Sequence, residues 1–354
     1  MSMTGLVRRN RRHAGACVAG LALALITGAA QAAKVTIGTT AVATDVGFFI
    51  ADQRGYFRQA GIEPELIPFA SAAQMVAPLG AGQLDVGSGT VAAGLYNGVS
   101  RGINLRIVAD KGSIAPGYEY STLVIRKDLA DGGKYRSLRD LKGLKIATAA
   151  QGAGSESALN EALKKGGLRF EDVEVVYMGF PEMLAALANK AIDGGITNEP
   201  TLSLVLNRGM AVRASGEAIY PGQQTAVVLY SETFMKKQRG IAEKFMVAYV
   251  RALRDYNDAL KDGKLKGPGA ETIISILTKA TAIKDPAVYA SMTAFAANPD
   301  GGLNMAALDN DLAFFRARGL VSDQNVTSAS LVDESFIAQA VRELGPYSSR
   351  AKGN

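Results

Sequence analysis

Cysteine and histidine are nearly absent from this sequence. Its 354 residues include one of each, Cys17 and His13, and both lie before residue 33. From residue 33 onward the chain therefore has no thiolate or imidazole to bind a metal, no Cys-His or Ser-His-Asp arrangement for nucleophilic catalysis, and no disulfide. We expect no metal and no cofactor, and only carboxylates, lysines and tyrosines remain for acid-base chemistry.

The missing histidine also bears on pH. No other side chain has an unperturbed pKa between about 5 and 8, so the carboxylates should stay ionised and the lysines protonated across that range. Unless burial shifts one of these pKa values, we expect the ionisation of the protein to change little between about pH 5.5 and 8.

Dense blocks of basic residues are also missing after residue 32. Four of the 39 lysines and arginines fall between residues 8 and 12, which leaves 35 basic side chains against 33 acidic ones and a net charge of about +2. No stretch interleaves aromatic with basic side chains, so we expect no nucleic-acid binding. Taking 32 residues from 354 leaves 322, more than one hydrophobic core usually holds, and we predict two lobes.

Residues 1–32 have the pattern of a secretory signal. Four arginines precede the apolar run Ala14 to Ile26, and Ala30-Gln31-Ala32 supplies the small-x-small site at which such a signal is cut. A membrane anchor is the alternative, but the run is shorter than the roughly 20 residues that span a bilayer. We predict cleavage after Ala32 and export of the remainder.

The stretch from Lys34 to Phe69 sets a pattern that the chain repeats. Alternating β-branched residues at Lys34 to Gly38 predict a strand, a polar loop follows, and the apolar run Val46 to Ala51 predicts a helix. Ile62 to Ile67 returns to a period of two, with a proline that favours an edge strand. Further alternation of strands and helices, as far as Tyr230, indicates parallel α/β sheets.

Residues 187–195 repeat the pattern of residues 79–87, with leucine, an aliphatic-aspartate pair and glycine in register. The chain must cross between two lobes near Tyr118 to Tyr120 and cross back near Tyr220 to Gln224, which makes a hinge. The predicted division is a signal peptide at 1–32, a first lobe at 33–119 and 223–354 with the C-terminal helices, and a second lobe at 120–222. The later helices are predicted around Ile273 to Leu277, Val288 to Phe295, Leu308 to Phe315 and Phe336 to Val341.

Four short motifs carry a resemblance to a known family. They are Gly55-Tyr56-Phe57 with Ala60-Gly61-Ile62, Gly82 to Val86, Leu138 to Ile146, and Asn198-Glu199-Pro200. In this order they resemble the nitrate/sulfonate/taurine family of ABC-transporter substrate-binding proteins, to which binders of thiamin pyrimidine precursors are related. The resemblance implies the type II periplasmic binding protein fold, an α/β fold in which two open, mostly parallel sheets flanked by helices are joined by a two-crossing hinge.

The resemblance also implies a function. A member of this family binds a small organic solute between its lobes and delivers it to the membrane permease of an ABC importer, and a sulfonate or taurine is the default solute. We expect a periplasmic monomer that acts in this way. Three alternatives stay open: a sensory partner of a membrane receptor, a binder of a neutral heterocycle such as a thiamin pyrimidine precursor, and an enzyme, against which the missing histidine and cysteine argue.

The loops that follow strands supply the predicted solute site. In open α/β sheets ligands bind there, because helix N-termini present free N–H groups. Five loops fit this description, and a lysine and a tyrosine lie beside them. The predicted solute-binding residues are Thr40, Asp45, Ser71, Ser88, Gly89, Thr90, Lys111, Tyr118, Gln151, Gly152, Ser155, Asn198 and Glu199.

Structural roles fit several of these residues equally well. Ser71, Ser88 and Ser155 are good helix caps, and Glu199 before a proline suits the first turn of a helix. Lys111 would also fit a solvated surface position.

Two further features bear on the solute. Of Tyr118 and Tyr120, alternation places only one in the cleft, and Tyr118 is preferred. No arginine stands in the five loops, while Asp45 and Glu199 are acidic, so a zwitterion or a neutral heterocycle would also suit the site. The glycine-rich loop around Gly152 lacks the lysine of a phosphate-binding P-loop, which argues against a nucleotide.

Overall fold

Two five-stranded sheets carry the fold. The structure is a computed structural model that describes residues 32–349, so the predicted signal sequence lies outside the described residues except for its last position. The strands are β1 (Ala33–Thr39), β2 (Ile62–Pro68), β3 (Val86–Thr90), β4 (Leu105–Ser113), β5 (Ser121–Arg126), β6 (Lys145–Thr148), β7 (Glu174–Tyr177), β8 (Gly194–Asn198), β9 (Ala211–Arg213), β10 (Gln224–Ser231), β11 (Leu260–Lys261) and β12 (Lys264–Leu265).

The two sheets have the same strand order. Neighbouring strands run β2-β1-β3-β10-β4 in the first sheet and β7-β6-β8-β5-β9 in the second. In each sheet the first three strands are parallel, and the fourth is antiparallel to both of its neighbours. The predicted α/β class with two open, mostly parallel sheets is confirmed. The repeat at residues 79–87 and 187–195 leads into the equivalent strands β3 and β8.

Helices pack against these sheets and fill the C-terminal third of the chain. No helix among residues 32–349 is long and apolar enough to cross a membrane. The helices are α1 (Val46–Gln53), α2 (Tyr56–Gln59), α3 (Val76–Gly80), α4 (Ala93–Ser100), α5 (Lys127–Asp131), α6 (Gly154–Lys165), α7 (Phe180–Ala188), α8 (Thr201–Asn207), α9 (Glu232–Lys237), α10 (Arg239–Asp258), α11 (Ala270–Ala280), α12 (Pro286–Ser291), α13 (Met305–Ala317), α14 (Ser328–Leu331) and α15 (Ser335–Leu344).

One predicted helix is shorter than its apolar pattern indicated. The pattern from Val288 to Phe295 predicted a continuous helix, but α12 ends at Ser291. Met292 and Phe295 are buried in extended chain instead, so tertiary packing explains their apolar character. A short run of buried apolar residues does not distinguish a helix from an extended segment.

The chain passes between the two sheets at residues 114–120 and 214–223. The two passages are bonded to each other, because the Ile114 N–H donates to the Gln223 carbonyl at 3.0 Å and the Gly222 N–H donates to the Ile114 carbonyl at 2.7 Å. Two adjacent crossings are the connection that a rotation of two lobes about one axis requires.

The C-terminal helices complete the core beside the first sheet. Phe245 and Tyr249 on α10 are fully buried, and their spacing of four residues places them on the same face of the helix. The Phe57 ring from the first repeat stacks on Phe245 with ring centroids 4.6 Å apart, and the Tyr249 hydroxyl donates to the Asp110 carbonyl on β4 at 2.9 Å. The sheet and the late helices therefore share one hydrophobic core.

Helix α13 contacts elements beside both sheets. On the first side, the Tyr96 hydroxyl of α4 donates to the Leu308 carbonyl at 3.1 Å. On the second side, the Ser157 hydroxyl of α6 donates to Asp311 Oδ1 at 2.5 Å, and the Tyr220 hydroxyl donates to the same oxygen at 3.0 Å. The predicted division assigned this helix to the first lobe, whereas its contacts join it to both. It ties the two halves together beside the crossings.

Burial brings two carboxyl groups into the neutral pH range. It raises the pKa of Asp110 to about 6, although the Asn298 N–H and the Gln224 side chain donate to that carboxylate. Burial also raises the pKa of Asp311 to about 7, and Oδ2 of Asp311 has no hydrogen-bond partner among the described residues. These two shifts are the exception that the expectation of nearly unchanged ionisation allowed for, because desolvation favours the protonated form of a carboxyl group.

Replacing Asp311 by asparagine should remove part of the pH dependence of stability. The folded pKa of about 7 lies above the unfolded value of about 3.9, so the stability contributed by the protonated group is present below the unfolded value and is lost as the pH rises through about 7. Between pH 5 and 8 the wild-type protein should lose on the order of 2 kcal/mol relative to Asp311→Asn, at about 1.36 kcal/mol per pH unit. Thermal unfolding at several pH values measures this difference. The titration of Asp110 contributes equally to both proteins and cancels in the comparison. Equal pH slopes would contradict the prediction.

Candidate functional site

The carboxyl ends of the parallel strands in the two sheets meet beside the crossings. The Ala93 N–H, at the start of α4, donates to the Gly152 carbonyl of the loop after β6 at 2.9 Å. In the second crossing, Gln223 Nε2 donates to the Gly154 carbonyl at 2.7 Å. Sequence reasoning missed Gln223 as a site residue, although it lies within the predicted second crossing. The predicted loops of both lobes are thus brought together.

Asp45 is the most heavily bonded of the predicted site residues. Its Oδ1 accepts from the Ser88 hydroxyl at 2.6 Å and from Lys111 Nζ at 2.8 Å. Its Oδ2 accepts from the Thr40 N–H at 2.9 Å, the Thr40 hydroxyl at 3.3 Å and the Val42 N–H at 3.4 Å. The side chain is fully buried. This carboxylate joins the loop after β1 to the ends of β3 and β4.

Lys111 is buried rather than solvated. Its side chain is 2% exposed, and Nζ donates to the Thr44 hydroxyl at 2.9 Å as well as to Asp45. A surface position, which the sequence left open, is excluded. The four polar residues Thr40, Asp45, Ser88 and Lys111 form one network, and each of them has a structural partner in it. Their contact with a solute stays a prediction.

The remaining first-lobe residues are more open. Ser71 is exposed, and its side chain makes no capping hydrogen bond to the short 3-10 turn that follows it. Thr90, the last residue of β3, is exposed, whereas Gly89 before it is buried. A Cβ at Gly89 would lie 2.8 Å from Leu229 Cγ, so this glycine is needed for the packing of β3 against β10.

The loop after β6 combines an ordered backbone with a free side chain. The Gly152 N–H donates to Glu156 Oε2 at 2.7 Å, and Gly152 adopts a φ of +72° that favours glycine. The Ser155 hydroxyl accepts from the Ala149 N–H at 3.1 Å, which is a structural role. The Gln151 side chain is exposed and forms no hydrogen bond or ion pair with the described residues, so its amide is available to a solute.

Glu199 lies between the lobes with both oxygens occupied. Oε2 accepts from the Ser203 N–H at 3.0 Å, and Oε1 accepts from the Ser203 hydroxyl at 2.9 Å, so the carboxylate serves the first turn of α8. Oε1 also accepts from the Thr293 N–H at 2.9 Å, and Thr293 lies between two buried residues, Met292 and Ala294. Asn198, which ends β8, is partly buried beside it. Sequence reasoning gave no signal for Thr293, because the bond uses its backbone.

The two tyrosines at the first crossing differ in their surroundings. The Tyr120 hydroxyl donates to the Thr225 hydroxyl at 2.8 Å, and its ring meets Phe295 edge-on with centroids 5.9 Å apart. Tyr120 therefore packs against the hydrophobic core beside the first sheet. Tyr118 is partly exposed, and its role in the site stays a prediction.

Comparison with known proteins finds a family and several relatives. The model of the family described as "NMT1/THI5 like" matches residues 43–259. A protein of Brucella abortus named as a binding protein is 24% identical over 59% of this chain and 62% of its own length. An ABC transporter periplasmic binding protein of Brachyspira hyodysenteriae is 29% identical over 57% of this chain and 58% of its own length. The chain spans about three fifths of the length of these curated relatives.

Solved structures share the fold over most of the chain. The periplasmic nitrate-binding protein of Synechocystis PCC 6803 has a TM-score of 0.68 and 13% identity, and covers 90% of this chain and 93% of its own. The periplasmic aliphatic sulphonate binding protein of Escherichia coli has a TM-score of 0.64 and 20% identity, and covers 85% of this chain and 92% of its own. A desulfurization enzyme has a TM-score of 0.57 and 14% identity, with 88% and 99% covered. At these identities the likeness shows the fold alone.

Removing the amine of the buried Lys111–Asp45 pair should strongly destabilise the protein. Lys111→Met would leave the Asp45 carboxylate buried without a counter-charge, and breaking such a pair costs roughly 3 to 5 kcal/mol. The matched control is Lys34→Met. Lys34 Nζ lies 2.9 Å from a Glu65 carboxylate oxygen, nearly the same distance as in the buried pair, but the two side chains are 64% and 46% exposed. That change should cost much less, because water screens an exposed ion pair. Urea unfolding of both variants measures the two costs, and similar losses would refute the structural role of the buried pair.

Proposed function

Because the chain belongs to the NMT1/THI5-like family, whose model it matches over residues 43–259, we propose that it is the periplasmic solute-binding component of an ABC importer. The observation that carries this proposal is the meeting of two carboxyl edges beside two crossings, where Ala93 approaches Gly152 and Thr293 approaches Glu199. Ligands of open α/β sheets bind outside the carboxyl ends of the strands, and clefts between lobes are favoured pockets.

The proposed solute is a small organic molecule, with a sulfonate or a taurine-like compound as the first class to test. The motifs of the sequence support this class, as does the fold shared with an aliphatic sulphonate binder. The lysine among the predicted residues is bonded to Asp45, so neutral groups such as the Gln151 amide and the Thr90 hydroxyl would make the polar contacts. A neutral heterocycle fits the same groups and belongs in the same panel.

Binding without chemical conversion is the proposed activity. The shared fold does not decide this, because one protein with the fold is an enzyme. The chain from residue 33 contains no histidine and no cysteine, and the carboxylates of Asp45 and Glu199 are each occupied by several donors. The proposed partner is the membrane permease of the importer, and the proposed solution state is a monomer.

A panel of solutes tests the proposed function. Alkanesulfonates, taurine, nitrate and a hydroxymethyl pyrimidine would each be added to the purified protein before thermal unfolding, with sodium sulfate at equal ionic strength as the control. A true solute at ~100 times its dissociation constant should stabilise the protein by roughly 2.7 kcal/mol, and small-angle scattering should show a smaller radius of gyration as the lobes close. No stabilisation and no compaction with any compound would contradict the proposal, and chemical conversion of a bound compound would replace it with an enzyme.

Two substitutions of Glu199 should separate its tie between the lobes from a charge contact with the solute. Glu199→Gln keeps an Oε1 acceptor for the Thr293 N–H, whereas Glu199→Ala removes it and leaves partly buried donors unpaired, at a cost of roughly 1 kcal/mol. The Glu199→Gln variant should therefore bind the solute nearly as well as the wild type, and the Glu199→Ala variant should bind it at least several-fold more weakly. Calorimetric titration measures both affinities. Equal losses for taurine in both variants would show instead that the negative charge meets the solute's ammonium group.

A further inference from the structure

A groove of about 350 Å³ runs along helix α4 on the first lobe. One end lies at Gly89 and Thr90, which the sequence placed in the solute site, and the other lies at Arg101, just past the end of α4. Ala92 lines the groove near its first end and bridges to Ala153 of the second lobe. The groove is thus continuous with the region where the two carboxyl edges meet.

The groove exists because the residues beside it are small. On α4, Gly94 and Gly98 line it, and Ala72 and Ala73, which follow β2, also line it. A Cβ at Gly94 would meet no heavy atom within 4 Å, whereas one at Gly98 would lie 3.4 Å from Ile103 Cδ1. Glycine weakens a helix, so two glycines in an eight-residue helix do not serve the stability of α4. The volume falls at the lower end of the range of small-molecule pockets, about 300 to 1,000 Å³.

The walls are apolar, with one polar atom left unpaired. Val76, Leu95 and Leu229 contribute aliphatic surface. Asn97 also lines the groove: its Nδ2 donates to the Leu320 carbonyl at 2.7 Å, but its buried Oδ1 has no hydrogen-bond partner among residues 32–349. The surrounding protein closes this oxygen off from solvent, so it makes no contact with a molecule lying in the groove. Arg101, which is exposed and pairs with no carboxylate of the described chain, disfavours a cation there.

We propose that this groove binds the apolar part of the solute, and that the solute is an amphipathic molecule with its polar group at the Thr90 end. The inference rests on the proposed function, since it assigns a second part to the same site. A purely inorganic anion would leave the groove unused, so the proposal favours an organic solute with an aliphatic or aromatic moiety.

The probe for the test is 1-anilinonaphthalene-8-sulfonate, which carries aromatic rings, one N–H donor and one sulfonate. Gly94→Leu would fill the groove, and Gly240→Leu is its matched control. Gly94 and Gly240 are each the second residue of a helix, are exposed, and have no heavy atom within 4 Å of an added Cβ. The wild type and Gly240→Leu should bind the probe saturably with equal affinity, and Gly94→Leu should bind it at least tenfold more weakly. Gly94→Ala adds a single methyl group and provides the test if Gly94→Leu fails to fold. It should show an intermediate loss of probe affinity.

The outcomes separate this inference from the proposed function. The proposal that the groove binds the solute would be overturned by equal probe affinity in Gly94→Leu, Gly94→Ala and the wild type, or by no saturable binding at all. This holds even if other solutes stabilise the protein. Weaker probe binding confined to the two Gly94 variants would support the groove, even if no compound of the solute panel binds.

Discussion

The buried ion pair between Asp45 and Lys111 is the interaction on which the first lobe depends. Asp45 comes from the loop after β1, Lys111 from β4, and Ser88 from β3 donates to the same carboxylate. In the sheet β1 is a neighbour of β3, whereas β10 separates β4 from both of them. A buried carboxylate with five donors is stable only where all of them converge, so it fixes how the three strand ends lie together.

This arrangement changes how the polar residues of the site are understood. The charged side chains that the sequence offered to a solute, Asp45, Lys111 and Glu199, are bonded to the protein itself. The groups left accessible are neutral, with the Gln151 amide and the Thr90 hydroxyl as the clearest examples. In the proposed site, selectivity therefore comes mainly from hydrogen bonds and from the shape of apolar surface such as the proposed groove along α4.

Much of the fold could be predicted from the sequence because its signals are local. The alternation at Lys34 to Gly38, the turn glycines and the repeat of residues 79–87 in residues 187–195 each report on nearby backbone. They were enough to predict two equivalent sheets. The course of Met292 to Phe295 could not be predicted, because a buried apolar run fits a helix or an extended segment equally well.

The site was predicted less completely, for physical reasons. A polar side chain after a strand fits ligand contact and a buried network equally well, and only the convergence of Ser88 and Lys111 on Asp45 distinguishes the two. The tie between Thr293 and Glu199 uses a backbone N–H, which any residue supplies. The raised pKa of Asp311 depends on burial between helices far apart in sequence, so the missing histidine could not by itself exclude titration near neutral pH.

The central claim is that a solute binds where the carboxyl edges of the two sheets meet. Hydrogen–deuterium exchange tests it most directly, using whichever small molecule mass spectrometry identifies in the purified protein, removed and then restored. The account predicts that the restored solute slows exchange in the loop around Gln151 to Ser155 and in residues 88–93 at the start of α4. Protection confined to other segments, or unchanged exchange in both of these, would contradict it.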